Sequence, residues 1–219
     1  MMLREERERI VEFGKRLITS ALTTGSGGNL SILDGARQLV AITPSGVPYP
    51  EIVAGDVVLV DLQGRAVEGK PRPSSELPLH LALYERYPQI RAVVHTHSVY
   101  ATTLACLGWE IPPAHYLVGC AGRKVPVAPY ATFGSPELAA NLVRAIDGYQ
   151  AALLANHGLV SIGASLEKAF HVAEEIEFVA RVYLQAKMVG EPAILSAAEM
   201  DRVLEKFTGY GQPSAKSPS

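Results

Sequence analysis

The sequence predicts an α/β protein, a three-layer α/β/α sandwich around a central, mainly antiparallel sheet. Three observations carry that expectation. The short apolar runs Leu30–Leu33, Leu39–Ile42 and Val57–Asp61 are punctuated by Asp34-Gly35, Pro44-Ser45-Gly46 and Gln63-Gly64, the pattern of a meander of antiparallel strands. Other segments repeat apolar residues at three- and four-residue steps, the period of helices with one buried stripe. Strands and helices come in groups without a repeated strand–helix alternation, which disfavours a doubly wound parallel sheet.

The elements follow in order. Ile10, Phe13, Leu17 and Ala21 place a first helix over Leu3 to about Thr23, stopped by Gly25-Ser26-Gly27-Gly28. After the meander, a helix is expected from about Ser75 to Tyr87, and Gln89–Val94 then reads as a strand ending in His95-Thr96-His97. A helix over Ser98–Leu107 leads into a Pro-rich connection, and Ser135-Pro136-Glu137 opens another helix, with Ser as cap and Pro in the first helical position. Ala151–Ala155 is a second apolar strand, followed closely by His157. The longest helix should start after Ser165 and reach about Met188, since Leu166, Ala169, Phe170, Ala173, Ile176 and Val179 trace one stripe. Ser196-Ala197-Ala198-Glu199 is a capping box for a last helix to about Phe207. We expect one domain over residues 1–210, and a disordered tail over 211–219, which is rich in Pro, Ser and Gly.

Composition narrows the function classes. The formal net charge is −2, with charges interspersed rather than clustered, so neither a nucleic-acid nor a membrane partner is expected. The charged start, Arg4-Glu5-Glu6-Arg7-Glu8-Arg9, has no apolar signal core, and Cys106 and Cys120 form no disulfide framework. These features predict a cytoplasmic protein with free thiols.

The most informative residues are Glu76, His95, His97 and His157. Side chains two apart on a strand share a face, so His95 and His97 can chelate one metal ion. His157 can add a third nitrogen if its strand lies beside theirs. A lone His-x-His is more often an ordinary hydrogen-bonded pair, and the surrounding segments decide between the readings. Three histidines leave zinc an open position, the catalytic arrangement. Glu76, at the start of a helix, can then ligate the ion or act as a base beside it. His80 in mid-helix and His171 on the long helix read as structural, and His115 stands alone.

Three polar loops accompany this set. Gly25-Ser26-Gly27-Gly28-Asn29 follows a helix and precedes a strand, the reverse of a dinucleotide or Walker loop; it reads as an anion nest or as an ordinary turn. Thr43-Pro44-Ser45-Gly46 offers two hydroxyls and a glycine amide, and Ser74-Ser75 adds two hydroxyls at a helix N-terminus, where anions are favoured. Ser75 can also serve simply as the helix cap. Together the loops suggest a phosphate held by neutral donors.

Taken as a set, Gly28-Asn29-Leu30-Ser31, Ile42 to Tyr49, Pro73-Ser74-Ser75-Glu76, Val93-Val94-His95-Thr96-His97, Ala128 to Gly134 and Asn156-His157-Gly158-Leu159 resemble the class II aldolase/adducin family. The match runs from about residue 5 to residue 210, including Glu205-Lys206-Phe207 and Tyr210, and is strongest to members that cleave L-fuculose 1-phosphate. The resemblance implies one zinc ion per subunit on His95, His97 and His157, with Glu76 as a fourth ligand that becomes the acid/base. It implies a phosphorylated sugar substrate whose phosphate meets Ser26, Gly28, Asn29, Thr43, Ser45, Gly46, Ser74 and Ser75, and cleavage of a ketose 1-phosphate to dihydroxyacetone phosphate and an aldehyde. It also implies a homotetramer with sites between subunits, in which Tyr116 from a neighbour protonates the aldehyde oxygen while Phe133 and Tyr210 border the aldehyde. Rival readings are an L-ribulose-5-phosphate 4-epimerase, disfavoured by Glu76 where those enzymes resemble the pattern with Asp, a methylthioribulose-phosphate dehydratase, and a non-catalytic adducin-like binding module, disfavoured by the three histidines. Thr96, Asn156 and the Gly119–Lys124 stretch depart from the fuculose-cleaving members, and these departures bear on substrate rather than chemistry.

Overall fold

The computed structural model describes residues 1–208; Tyr210 and the expected tail lie outside them. Six α-helices occur among the described residues: α1 Arg4–Thr19, α2 Leu77–Arg86, α3 Val99–Leu107, α4 Pro136–Ala145, α5 Leu166–Val189 and α6 Ala197–Thr208. The strands are β1 Asn29–Asp34, β2 Leu39–Ile42, β3 Val58–Asp61, β4 Ala66–Glu68, β5 Ala92–Thr96, β6 Val127–Ala128, β7 Ala151–Leu154 and β8 Gly158–Gly163. They form one sheet in the order β4-β3-β2-β1-β5-β8-β7-β6. Every pairing is antiparallel except β6 with β7.

Strand alternation divides the apolar side chains between two cores. On one face Leu30, Ala41, Leu59, Val94 and Leu153 pack against Ile10, Phe13 and Leu17 of α1, Leu104 of α3 and the Phe170 stripe of α5. On the other, Val40, Ile42, Val58, Val93 and Val160 pack against Leu79 and Leu83 of α2 and Leu138 and Leu142 of α4. Helix, sheet and helix are the three predicted layers. Phe13 and Phe170 meet edge to face at 5.1 Å and 77°, anchoring α1 to α5.

The caps act as read. Ser135 Oγ accepts from Leu138 N at 3.1 Å, Ser165 Oγ from Lys168 N at 3.3 Å and Ser196 Oγ from Glu199 N at 3.2 Å. The Glu199 carboxylate pairs with Arg202 instead of closing a reciprocal capping box. Helix α1 stops at Thr19, short of Thr23, because Ala21 turns left-handed at φ 54° and Leu22 N returns to Leu17 O.

Strand β8 is the main departure from expectation. Gly158-Leu159-Val160-Ser161-Ile162-Gly163, to which the sequence reading assigns no element, is a strand buried throughout and lies between β5 and β7. Strand β7 is therefore not beside β5, so the condition of adjacent strands under which His157 could join the pair is not how it does so. His157 reaches the site from the β7–β8 turn, because Leu159 pairs with Thr96.

Candidate active site

Six connections at one end of the sheet surround a cavity of about 360 Å³. The loop after α1 contributes Ser26, Gly27 and Gly28, joined by Asn29 at the start of β1. Pro44, Ser45 and Gly46 follow β2, Ser74, Ser75 and Glu76 precede α2, and His97 follows β5. Tyr130, Ala131 and Phe133 follow β6, and Asn156 and His157 come from the β7–β8 turn. None of these lining residues is Lys or Arg. The two hydroxyl loops are tied by a Pro44–Pro73 bridge, with Ser45 N donating to Arg72 O and Ser74 N to Thr43 O. Their serines are thus held at fixed separation along one wall.

At the cavity floor the ligand atoms of Glu76, His95, His97 and His157 all lie within 4.8 Å of one another. His95 and Glu76 are buried, at 0% and 5% exposure. His95 Nδ1 donates to Leu159 O at 2.9 Å, which orients the ring so that Nε2 faces inward, where it would present its lone pair to a bound cation. That nitrogen lies 3.0 Å from His97 Nε2 and 3.0 Å from Glu76 Oε2. Glu76 Oε1 is buried without a hydrogen-bond partner, although His157 Nε2 stands 3.4 Å away. Converging nitrogen lone pairs with an unpartnered buried carboxylate oxygen form a donor set that fits a divalent cation.

Backbone approach makes this convergence possible. A Cβ on Gly158 would sit 2.2 Å from Thr96 O, and one on Gly28, which has φ +69°, would sit 2.5 Å from His95 O. Only glycine lets the β7–β8 turn and the loop before β1 close on the histidine-bearing strand end. Asn156 takes the left-handed conformation at φ 55°, which asparagine tolerates, and the turn then presents His157.

Charge and burial oppose each other here. Burial pushes the Glu76 carboxyl up, but the His95 and His157 imidazoles and the Asn29 hydrogen bond outweigh it and hold Glu76 well below the usual carboxylate range. Burial and the neighbouring His95 push His157 down to about 4, which keeps its ligating lone pair free at neutral pH.

Some expected site residues do other work. Thr43 does not line the cavity; its Oγ1 accepts from Leu30 N at 3.2 Å, so it ties β2 to β1. Ser75 is not the cap of α2, since Glu76 occupies that position and Ser74 Oγ accepts from Glu76 N at 3.2 Å. The Asn29 carboxamide is engaged with Glu76 Oε2 at 2.9 Å and His80 Nε2 at 2.5 Å rather than turned wholly to the cavity. Tyr116 is exposed and lies outside the cavity of its own chain, its ring parallel to that of Phe207. His115 accepts from Leu117 N, and His171 stands exposed near Glu175. Tyr130, which sequence reasoning did not select as a site residue, lines the cavity, as does Asn156, singled out in sequence only as a departure bearing on substrate.

This arrangement has known counterparts. Residues 8–184 match the family model for the class II aldolase and adducin N-terminal domain. The chain belongs to the class II aldolase/adducin family. Within that family it is 50% identical over 212 residues to a 5-deoxy-D-ribulose 1-phosphate aldolase of Bacillus thuringiensis, covering 97% of this chain and all of the relative. It is 40% identical over 214 residues to a 5-methylthioribulose-1-phosphate/5-deoxyribulose-1-phosphate aldolase of Rhodospirillum rubrum, covering 97% and 95% of the two chains. The solved structure of an L-fuculose 1-phosphate aldolase superposes with a TM-score of 0.93 at 44% identity, covering 95% of this chain and 98% of that one. This class II aldolase is accordingly a lyase of a family that is metal-dependent and acts on phosphorylated sugars.

Proposed function

We propose that the enzyme cleaves 5-deoxyribulose 1-phosphate to dihydroxyacetone phosphate and acetaldehyde by a retro-aldol reaction. The observation that carries the reaction type is the convergence of Glu76, His95, His97 and His157 at the floor of a cavity walled by neutral donors. The substrate choice is supported by the 50% identity to an aldolase named for that sugar, and by Ala131 and Phe133 on the cavity wall, an apolar surface suited to a terminal methyl group. L-Fuculose 1-phosphate is the second reading, supported by the similarity to an aldolase named for it; its extra hydroxyl needs a polar partner in the same place.

A divalent cation on this donor set, zinc by its nitrogen content, supplies Lewis-acid polarisation of the substrate ketone. The remaining work belongs to the chain. Ser26, Ser45, Gly46, Ser74 and Ser75 bind the phosphate with hydroxyls and amides, helped by the positive N-terminal end of α2. The hydroxyl on C4 loses its proton as the C3–C4 bond breaks, its oxygen becoming the aldehyde carbonyl and the bonding pair remaining on C3. Glu76, ionised at rest, takes up the proton that leaves O4, relayed by the phenol that faces O4, and delivers it to C3, so the proton lost from oxygen is the one gained by carbon. The exposed position of Tyr116 fits a homotetramer in which this phenol faces O4 in a neighbouring subunit's cavity.

A panel assay tests this function, following dihydroxyacetone phosphate release from 5-deoxyribulose 1-phosphate, 5-methylthioribulose 1-phosphate and L-fuculose 1-phosphate, with L-ribulose 5-phosphate as the epimerase control. The expected result is release from the ketose 1-phosphates, with the largest kcat/KM for 5-deoxyribulose 1-phosphate. No release from any of them, or epimerisation of the control, overturns the proposal.

A further inference from the structure

Behind Glu76, a line of buried polar side chains crosses an otherwise apolar layer. Glu76, His80 and Tyr84 follow one another at four-residue steps at the start of and along α2, and so share a face. Asn29 and Ser31, two apart on β1, point to the face that α2 covers. All five are at most 5% exposed. Tyr84 Oη lies 2.7 Å from Ser31 Oγ, which lies 2.6 Å from His80 Nδ1. His80 Nε2 lies 2.5 Å from Asn29 Oδ1, and Asn29 Nδ2 donates to Glu76 Oε2 at 2.9 Å.

The direction of this chain follows from its end. An ionised carboxylate only accepts, so Asn29 must turn its NH2 toward Glu76 and its carbonyl toward His80. The carbonyl needs a donor, so His80 carries its proton on Nε2 and presents a lone pair at Nδ1. Ser31 fills that lone pair with its hydroxyl proton and in turn accepts from Tyr84. Flipping the Asn29 amide sets its carbonyl against the Glu76 carboxylate, and moving the His80 proton to Nδ1 sets a lone pair against the Asn29 carbonyl, each an unmatched pair in a buried site, where such a pair is costly. Burial also pushes His80 down to about 3, so it stays neutral with one donor and one acceptor.

We propose that His80 is a positioning residue: through Asn29 it holds Glu76 Oε2 as a fixed acceptor, so that Oε1, which has no hydrogen-bond partner, is the oxygen that exchanges the reaction proton. This inference rests on the reading of Glu76 as acid/base given above. Ser31 and Tyr84 complete the arrangement by satisfying the lone pair that this tautomer leaves at His80 Nδ1.

The test uses metal-free protein and Zn²⁺ alone. Nitrogen-15 NMR of the imidazoles should show His80 as the Nε2–H tautomer, and chelator competition should show zinc bound about 10- to 100-fold more weakly by His80→Leu than by the parent, the range for losing an orienting partner behind a ligand. His80→Gln, whose amide can still donate to Asn29, should recover most of that loss, which a merely space-filling role would not produce. An Nδ1–H tautomer, or parental zinc affinity in His80→Leu, overturns the proposal. Should His80→Leu not fold, the parent's tautomer and His80→Gln still decide: an Nδ1–H imidazole, or zinc affinity in His80→Gln reduced by more than about 100-fold, refutes it equally. None of these measurements needs substrate, so a failure of aldol cleavage would count against the proposed function and leave this inference to its own result.

Discussion

Glu76→Gln separates holding the cation from moving the proton. The substitution is isosteric, so it opens no cavity beside Asn29, and His95, His97 and His157 remain as three nitrogen ligands. It removes the ionised oxygen that the structure leaves unpartnered at Oε1. A positioned acid/base contributes roughly 10²–10⁴-fold to rate, which is about 3–5 kcal/mol of barrier at 1.36 kcal/mol per decade. The assay is stopped-flow cleavage of 5-deoxyribulose 1-phosphate at saturating substrate, paired with metal analysis of the same sample. We expect roughly one cation per chain, KM within a few-fold of the parent and kcat at least about a hundredfold lower. A kcat within a factor of ten of the parent, with the metal retained, refutes the acid/base role. Loss of the metal along with activity would instead make Glu76 primarily a ligand and refute the division of roles.

The other predictions address the rest of the site and the fold around it. His95→Ala, His97→Ala and His157→Ala should each lose the bound cation in metal analysis, since two nitrogens and a carboxylate no longer close the set. Ser45→Ala and Ser75→Ala should each weaken binding of a phosphorylated ketose by about 1.5–3 kcal/mol, the worth of a hydrogen bond to a charged group, while a non-phosphorylated analogue binds as before; calorimetry with both ligands distinguishes an anion site from a structural loop. Gly158→Ala should lower both stability and metal content, because its Cβ would meet Thr96 O at 2.2 Å, and parental values for both would show that the turn relaxes freely. His80 makes stability depend on pH: burial lowers its folded value to about 3 from 6.5, so below about pH 6.5 the unfolded chain takes up a proton that the folded one refuses. The stability difference between the parent and His80→Gln should therefore shift against the parent by about 1.4 kcal/mol per pH unit below 6.5, measured by urea denaturation; a pH-independent difference refutes neutral burial.

Much of this protein is determined locally and so could be read from the chain alone. The α5 stripe, the Ser135-Pro136 start of α4 and the β1–β3 meander follow from periodicity, capping and turn chemistry, each satisfied within a few residues. The four metal-ligating candidates were legible because chemistry limits which side chains can share an ion, and the family motifs set their order. What the chain did not reveal depends on partners far away in sequence. Strand β8 is buried on both faces, so it lacks the alternation that marks a half-exposed strand, and its bracketing glycines serve close backbone approach rather than a turn. Its place between β5 and β7 decides that His157 arrives from a turn. Asn29 could be seen as polar and near an expected anion site, but only packing of α2 on β1 turns its amide to Glu76 and its carbonyl to His80. Thr43 likewise offers a hydroxyl in sequence and spends it on Leu30 N in space. A hydrogen-bonding group's type is written in its residue, but its direction is set by whichever neighbours burial leaves it, and those neighbours are brought together only by the tertiary fold.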